Sequence, residues 1–262
     1  MLNKPGILKT SILTSMYTQL RRSFAFTIKD IKVYYNKGPL VIQGILFPLV
    51  FFFAFTLGKS LEPTYVISGL MFLVLFLTVT SIGSVILPWE TREKTLDTIM
   101  TYPVSIYTIL LGNLWSSLIF GTILSLIPLL IGIVVYGLSE SVNIVLIVSA
   151  IIIAGFTFSS FGLLLTVPPG DNPSGIMILT LIIKLPVLFI SPLFQPITSN
   201  IINLLNPVVY YIDILNVNLG GSSIFSDLFI LIDFGVLIIT GVCCLLIAFL
   251  FHSRTLQKRI CR

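Results

Sequence analysis

Six stretches of this chain, about 39–57, 64–87, 104–136, 142–167, 174–191 and 224–251, are apolar for long enough to cross a hydrocarbon layer. A helix needs about 20 mostly apolar residues to span a bilayer. Inside the hydrocarbon every backbone N–H and C=O must be paired within the protein, which leaves helices or closed barrels. Runs of this length and continuity are helical rather than alternating. Charged residues are 10% of the chain and hydrophobic residues 56%, and the mean hydropathy is +1.08. A water-soluble domain carries about a quarter charged residues, so this chain lacks the polar surface to enclose a core in water. The expectation is an all-α integral membrane protein with six transmembrane helices. No connecting segment is long enough for a separate soluble domain, so residues 1–262 read as one transmembrane domain.

The charges sit where they set topology. Lys4, Lys9, Arg21, Arg22, Lys29, Lys32 and Lys37 precede the first stretch, Arg254, Lys258, Arg259 and Arg262 follow the last, and Arg92 and Lys94 lie between the second and third. With six spans these clusters share one side and the loops opposite hold Lys59. Excess Lys and Arg mark the cytoplasmic side, which places both termini and segment 89–103 there. The net charge of +5 is accounted for in this way, without a nucleic-acid partner. Residues 1–37 contain no uninterrupted apolar core of signal-peptide length. Asn172 is followed by proline, so no glycan acceptor is present, in keeping with a prokaryotic inner membrane.

Residues 12–36 carry Leu13, Met16, Tyr17, Leu20, Phe24, Ile28, Ile31 and Tyr35 at three- and four-residue steps, with Arg21, Arg22, Lys29 and Lys32 on the remaining surface. This predicts an amphipathic helix lying in the membrane surface, its cations near lipid phosphates; a helix docked on a soluble partner is the alternative. Residues 192–224 are apolar but broken by Pro192, Pro196, Asn206, Pro207, Gly220 and Gly221. Thr198 or Ser199 can cap a short helix over 201–205, and Asn206 a second with Pro207 at its first position. Neither is long enough to span, and a re-entrant pair at the outer face is expected.

No Gly-x-x-x-x-Gly-Lys-Ser/Thr run is present to cradle a nucleotide, and the lone His252 at the end of a span is no metal site. Cys243, Cys244 and Cys261 have neither disulfide-framework nor zinc spacing. With so few charges, no catalytic constellation is credible. Two charges fall within spans, Lys184 and Asp233. Intramembrane charges face protein or water and take partners. Lys184 and Asp233 can pair with each other, Lys184 can line a path and attract an anionic head group, or both can sit in water-filled crevices.

Segment 89–105 is the most polar internal one. Glu90 can pair with Lys94 at i,i+4. Leu96, Ile99 and Met100 make a small apolar face, and Pro103 ends the element. An amphipathic helix over 90–102 with its apolar face outward suits a groove on a soluble partner; a plain solvated loop is the alternative. Glu90-Thr-Arg-Glu-Lys-Thr-Leu-Asp-Thr-Ile-Met-Thr-Tyr-Pro-Val104 resembles the signature after the second span of ABC-2 type permeases, approximately Glu-x-x-x-Gly-Thr-Leu-x-x-Leu-x-x-x-Pro-Val/Ile. Glu90, Thr95, Leu96 and Pro103 match, Ile99 matches conservatively, and Lys94 stands where the pattern has glycine. The preceding amphipathic helix and Leu205-Asn206-Pro207 followed by Tyr210-Tyr211-Ile212-Asp213 are also similar to that family.

The resemblance implies a homodimer of permease subunits above two copies of a separate ABC ATPase, which binds ATP and Mg while this chain binds no cofactor. It implies a coupling helix at 90–102 that engages the ATPase through Glu90, Glu93, Thr95, Leu96, Ile99, Met100 and Pro103. Residues 12–36, with Arg21, Arg22, Lys29 and Lys32, become an interface helix. Residues 192–224, with Asn206, Pro207 and Tyr210, become the outer re-entrant segment. The expected function is export of an amphipathic or lipid-like substrate from the cytoplasm across a prokaryotic plasma membrane, in contact with membrane lipid. The alternatives are a membrane anchor or assembly protein, and an ATP-independent secondary transporter.

Overall fold

A computed structural model describes residues 5–34, 38, 42–56, 62–101, 104–137, 143–166, 172–194, 205–221, 223 and 230–260. These residues are helical, joined by short turns. The helices are α1 (Pro5–Tyr34), a π-helical turn (Ile42–Leu46) running into α2 (Phe47–Thr56), α3 (Pro63–Arg92), α4 (Thr95–Met100), α5 (Ile106–Tyr136), α6 (Ile144–Leu165), α7 (Pro173–Phe189), α8 (Pro207–Asn218) and α9 (Ile230–Ile260).

Among the described residues four helices, α3, α5, α6 and α9, are long and apolar enough to cross a membrane. The fifth expected span, 174–191, is the 17-residue apolar α7. The first is a π turn plus the ten residues of α2. The predicted 12–36 helix is α1, Pro5–Tyr34, which begins earlier than expected; residues 35 and 36 lie outside the described ones. Helix starts follow local chemistry. Ser105 caps α5 through Tyr107 N, Asn143 caps α6, and Asn172 with Pro173 caps α7. Asn206 accepts from Val208 N with Pro207 in the first turn of α8, as its sequence predicts. The first short helix expected in that region, 201–205, lies almost wholly outside the described residues.

α3 is the axis of the bundle. Every residue from Ile67 to Glu90 is buried, and α2, α4, α5, α6, α7 and α8 all pack on it. A helix apolar all round belongs in an interior. Apolar association gains little between helices in lipid, so close approach and interhelical hydrogen bonds take over. A Cβ placed at Gly162 of α6 would lie 3.1 Å from both Cα and O of Thr80, so this glycine lets the α3 and α6 backbones meet. Thr78 Oγ1 donates to Gly44 O at 2.8 Å and satisfies a carbonyl of the π turn. Asn113 of α5 donates to Gly83 O at 3.0 Å. Beyond α3 the same device recurs: Ser159 Oγ donates to Leu114 O at 3.0 Å, and Thr157 Oγ1 to Leu237 O at 2.7 Å, joining α6 to α5 and α9.

Candidate coupling end of the bundle

α1 lies along α5 with an unexpected face inward. Ser23, Thr27 and Asp30, spaced i, i+4, i+7, are buried, and Thr27 Oγ1 donates to Gly112 O at 3.1 Å. Of the predicted apolar stripe, Leu20, Phe24 and Ile28 are 43%, 47% and 55% exposed, while Ile31 is half-buried against the bundle and Phe24 stacks on Trp115 of α5. Arg21, Arg22 and Lys32 are exposed as well.

Lys29 is different. Its ammonium donates to Glu90 at the end of α3 and contacts Asp30 Oδ1 at 3.1 Å, with Phe26 beneath it. Glu90 therefore pairs across 61 residues with Lys29, not with Lys94 as i,i+4 spacing suggested. Its side chain is 1% exposed, whereas a third of Lys29 reaches solvent. Burial opposes the charge on Lys29, but Asp30 and Glu90 hold its pKa above the usual lysine value. One cation cannot neutralise two buried carboxylates. Burial pushes the Asp30 carboxyl up to about 7 against the pull of Lys29, and Glu90 adds to the rise.

The predicted 90–102 helix divides. Residues 90–92 complete α3, Glu93 and Lys94 form a turn, and α4 is the six residues Thr95–Met100. Thr95 Oγ1 donates to Glu90 O at 3.2 Å, closing the turn. Lys94 has φ 57° and ψ 16°, in the left-handed region. The position where the signature carries glycine is thus the one whose backbone favours glycine. Leu96 is 3% exposed and packs with Leu87, Ile109, Leu110 and Leu114; Ile99 is half-buried against the same cluster. The expected outward apolar face is therefore turned inward, because α4 is short enough to fold back onto the bundle's own apolar surface. Glu93, Thr95, Asp97 and Thr98 face outward. Pro103 and the Met100 side chain lie outside the described residues.

Lys184 and Asp233 do not meet. Lys184, 2% exposed, donates to Ser81 Oγ of α3 at 3.1 Å. Asp233 sits beside Asp213 of α8, with Tyr210 near it, and Asp213 accepts from Ser223 Oγ at 3.1 Å. The reason is helix placement: α7 leans on α3, while α9 leans on α6 and α8. His252 is buried at the far end of α9, bonded to Leu163 O at 3.0 Å, and so ties α9 to α6.

These features define a multi-pass helical membrane protein with a short, exposed helical turn braced by a surface helix at one end of the bundle. Residues 16–219 match the ABC-2 type transporter family, and the chain belongs to that family. No curated protein matches it. Members of this family are the membrane subunits of ABC transporters and generally work with an ATPase subunit; their role is transport rather than catalysis.

Two results test this end. Lys29→Met should lower the thermal midpoint in detergent by the equivalent of about 2–3 kcal/mol, below the loss for a fully buried pair because Lys29 is partly solvated. At about pH 6, where Asp30 keeps its proton, Lys29→Met/Glu90→Leu should recover most of that loss; a double variant no better than the single contradicts the pairing. Lys94→Gly should raise the midpoint by the equivalent of about 0.5–1 kcal/mol, since relief of left-handed strain outweighs glycine's greater unfolded freedom. A lowered midpoint would show that the Lys94 side chain makes a stabilising contact.

Proposed function

We propose that this chain is the permease subunit of an ATP-driven exporter, working as a homodimer with two copies of a separate ATPase and moving an amphipathic or lipid-like substrate out of the cytoplasm. The family supplies the transport role. The observation that carries the ATPase reading is the convergence of α1 and α4 on Glu90: two elements of unlike chemistry are braced to each other at one end of the bundle and expose a short polar ridge there. A push on that ridge passes into α3, on which most of the bundle rests, and biases a bistable packing from outside. ATP and Mg would be held by the partner.

In this reading the Lys/Arg asymmetry places that end, with both termini, in the cytoplasm of a prokaryotic plasma membrane. α1 lies in the interface with Leu20, Phe24 and Ile28 toward acyl chains and Arg21, Arg22 and Lys32 toward phosphates. Six crossings are counted by adding the π turn with α2, and α7, to the four long helices. Segment 192–224 with α8 is the re-entrant outer element.

The docking residues are the exposed ones, Glu93, Thr95, Asp97 and Thr98, with the half-buried Ile99 beside them; Met100 and Pro103 stay in the set by the family resemblance. Glu90 and Leu96 hold the ridge in place. The wild type should co-purify with its ATPase, and Asp97→Arg/Thr98→Arg should lose the ATPase while keeping its own thermal midpoint. Absence of any ATPase from the wild-type preparation would favour an anchoring protein or a secondary transporter.

A further inference from the structure

The bundle is not packed solid. α7 leans on α3 and α9 leans on α6 and α8, and no extensive α7–α9 contact closes the space between them among the described residues. The gap is a cavity of about 330 Å³, within the range of about 300–1,000 Å³ for small-molecule pockets. Its apolar walls include Phe76 of α3, Phe158 and Phe161 of α6, and Val187 and Ile190 at the end of α7. The geometry points to a site for one hydrocarbon chain, lodged within a single subunit between α7 and α9.

Three observations carry this. First, the polar groups on the wall are already engaged. Thr157 donates to Leu237 O at 2.7 Å and Thr240 to Val236 O at 2.8 Å. Asn206 donates to Val187 O at 3.0 Å and accepts from Val208 N at 3.1 Å. The two threonine hydroxyl protons and one of the two Asn206 amide protons are thus spent on backbone carbonyls, which leaves the wall short of the two to four polar partners a buried water needs. Secondly, an apolar wall of this kind offers close-packed dispersion contacts to whatever apolar group fits against it. In a membrane protein the group at hand to meet such a wall is an alkyl chain. Thirdly, the wall has a way in: Thr240 and Cys244 of α9 are half-buried, and their neighbours Ile239, Val242 and Cys243 are exposed. The chain can belong to a bilayer phospholipid or to a free single-chain amphiphile; the pocket chemistry is the same. The site stands independently of what the protein transports.

Full-length Phe161→Trp protein, with the unsubstituted protein as background for Trp89 and Trp115, tests this by bromine quenching. In nanodiscs of dibrominated phosphatidylglycerol the added tryptophan should lose most of its emission. Cys244→Phe, which fills the space, should restore it, while a lipid-facing Ile239→Trp control stays quenched in the Cys244→Phe background. Thr240→Leu replaces Cys244→Phe where the latter does not purify. Quenching in nanodiscs assigns a bilayer lipid. Saturable quenching only by bromoundecanoic acid in detergent, again lost on filling, assigns a free amphiphile. No quenching in either arm, or quenching indifferent to filling, overturns the site and leaves the permease assignment untouched, since ATPase co-purification is read separately.

Discussion

The complete burial of α3 governs the rest of the structure. From Ile67 to Glu90 it has no exposed residue, so its neighbours must cover it on every side, and its hydroxyls turn either to its own carbonyls, as in Thr80 and Ser84, or to theirs, as in Thr78. Apolar bulk alone cannot order such a bundle, because lipid tails are as apolar as leucine. Small residues and hydroxyls supply the order instead: Gly162 against the Thr80 backbone, Thr78 on the π-turn carbonyl, and Ser81 beneath the Lys184 ammonium. Lys184 is thus held by the axis helix, and the bundle accommodates it without a counter-charge from Asp233.

Where α3 emerges from the bundle, its last buried residue becomes a junction. Glu90 receives Lys29 through its side chain and Thr95 through its carbonyl, while Leu96 plugs the apolar cluster below. The residues of the family signature are therefore builders of a turn. Their arrangement keeps α1, the end of α3 and α4 in fixed relation, which is what a mechanical link needs if force is not to dissipate in a loop. The trio of Lys29, Asp30 and Glu90 has one cation for two acids, and the near-neutral Asp30 makes this junction sensitive to pH around 7.

Local chemistry was legible in the sequence and long-range pairing was not. The Asn206–Pro207 helix start and the apolar runs follow from cap preferences, proline geometry and length. The centrality of α3 does not, because a span facing lipid and a span facing protein share the same apolar composition; Ser68, Thr78, Ser81 and Gly83 were the faint mark of contact. The inward face of α1 was present as Ser23, Thr27 and Asp30 at helical spacing, masked by the louder stripe of Leu20, Phe24 and Ile28. A short amphipathic helix carries no sign of whether its apolar side, here Leu96, meets its own bundle or another protein. Lys94 was visible as a departure from a glycine pattern, and its left-handed backbone explains why the pattern has glycine.

The account stands on the exposed ridge of α4 meeting an ATPase. A photoreactive p-benzoylphenylalanine at Thr98, irradiated in intact cells, tests it most directly, with the same group at Val145, exposed at the opposite end of the bundle, as the control. The account predicts a covalent adduct between Thr98-labelled protein and a nucleotide-binding ATPase subunit, absent from the Val145 sample. Adducts at Thr98 to lipid alone, or equal capture of the ATPase from both positions, would contradict it.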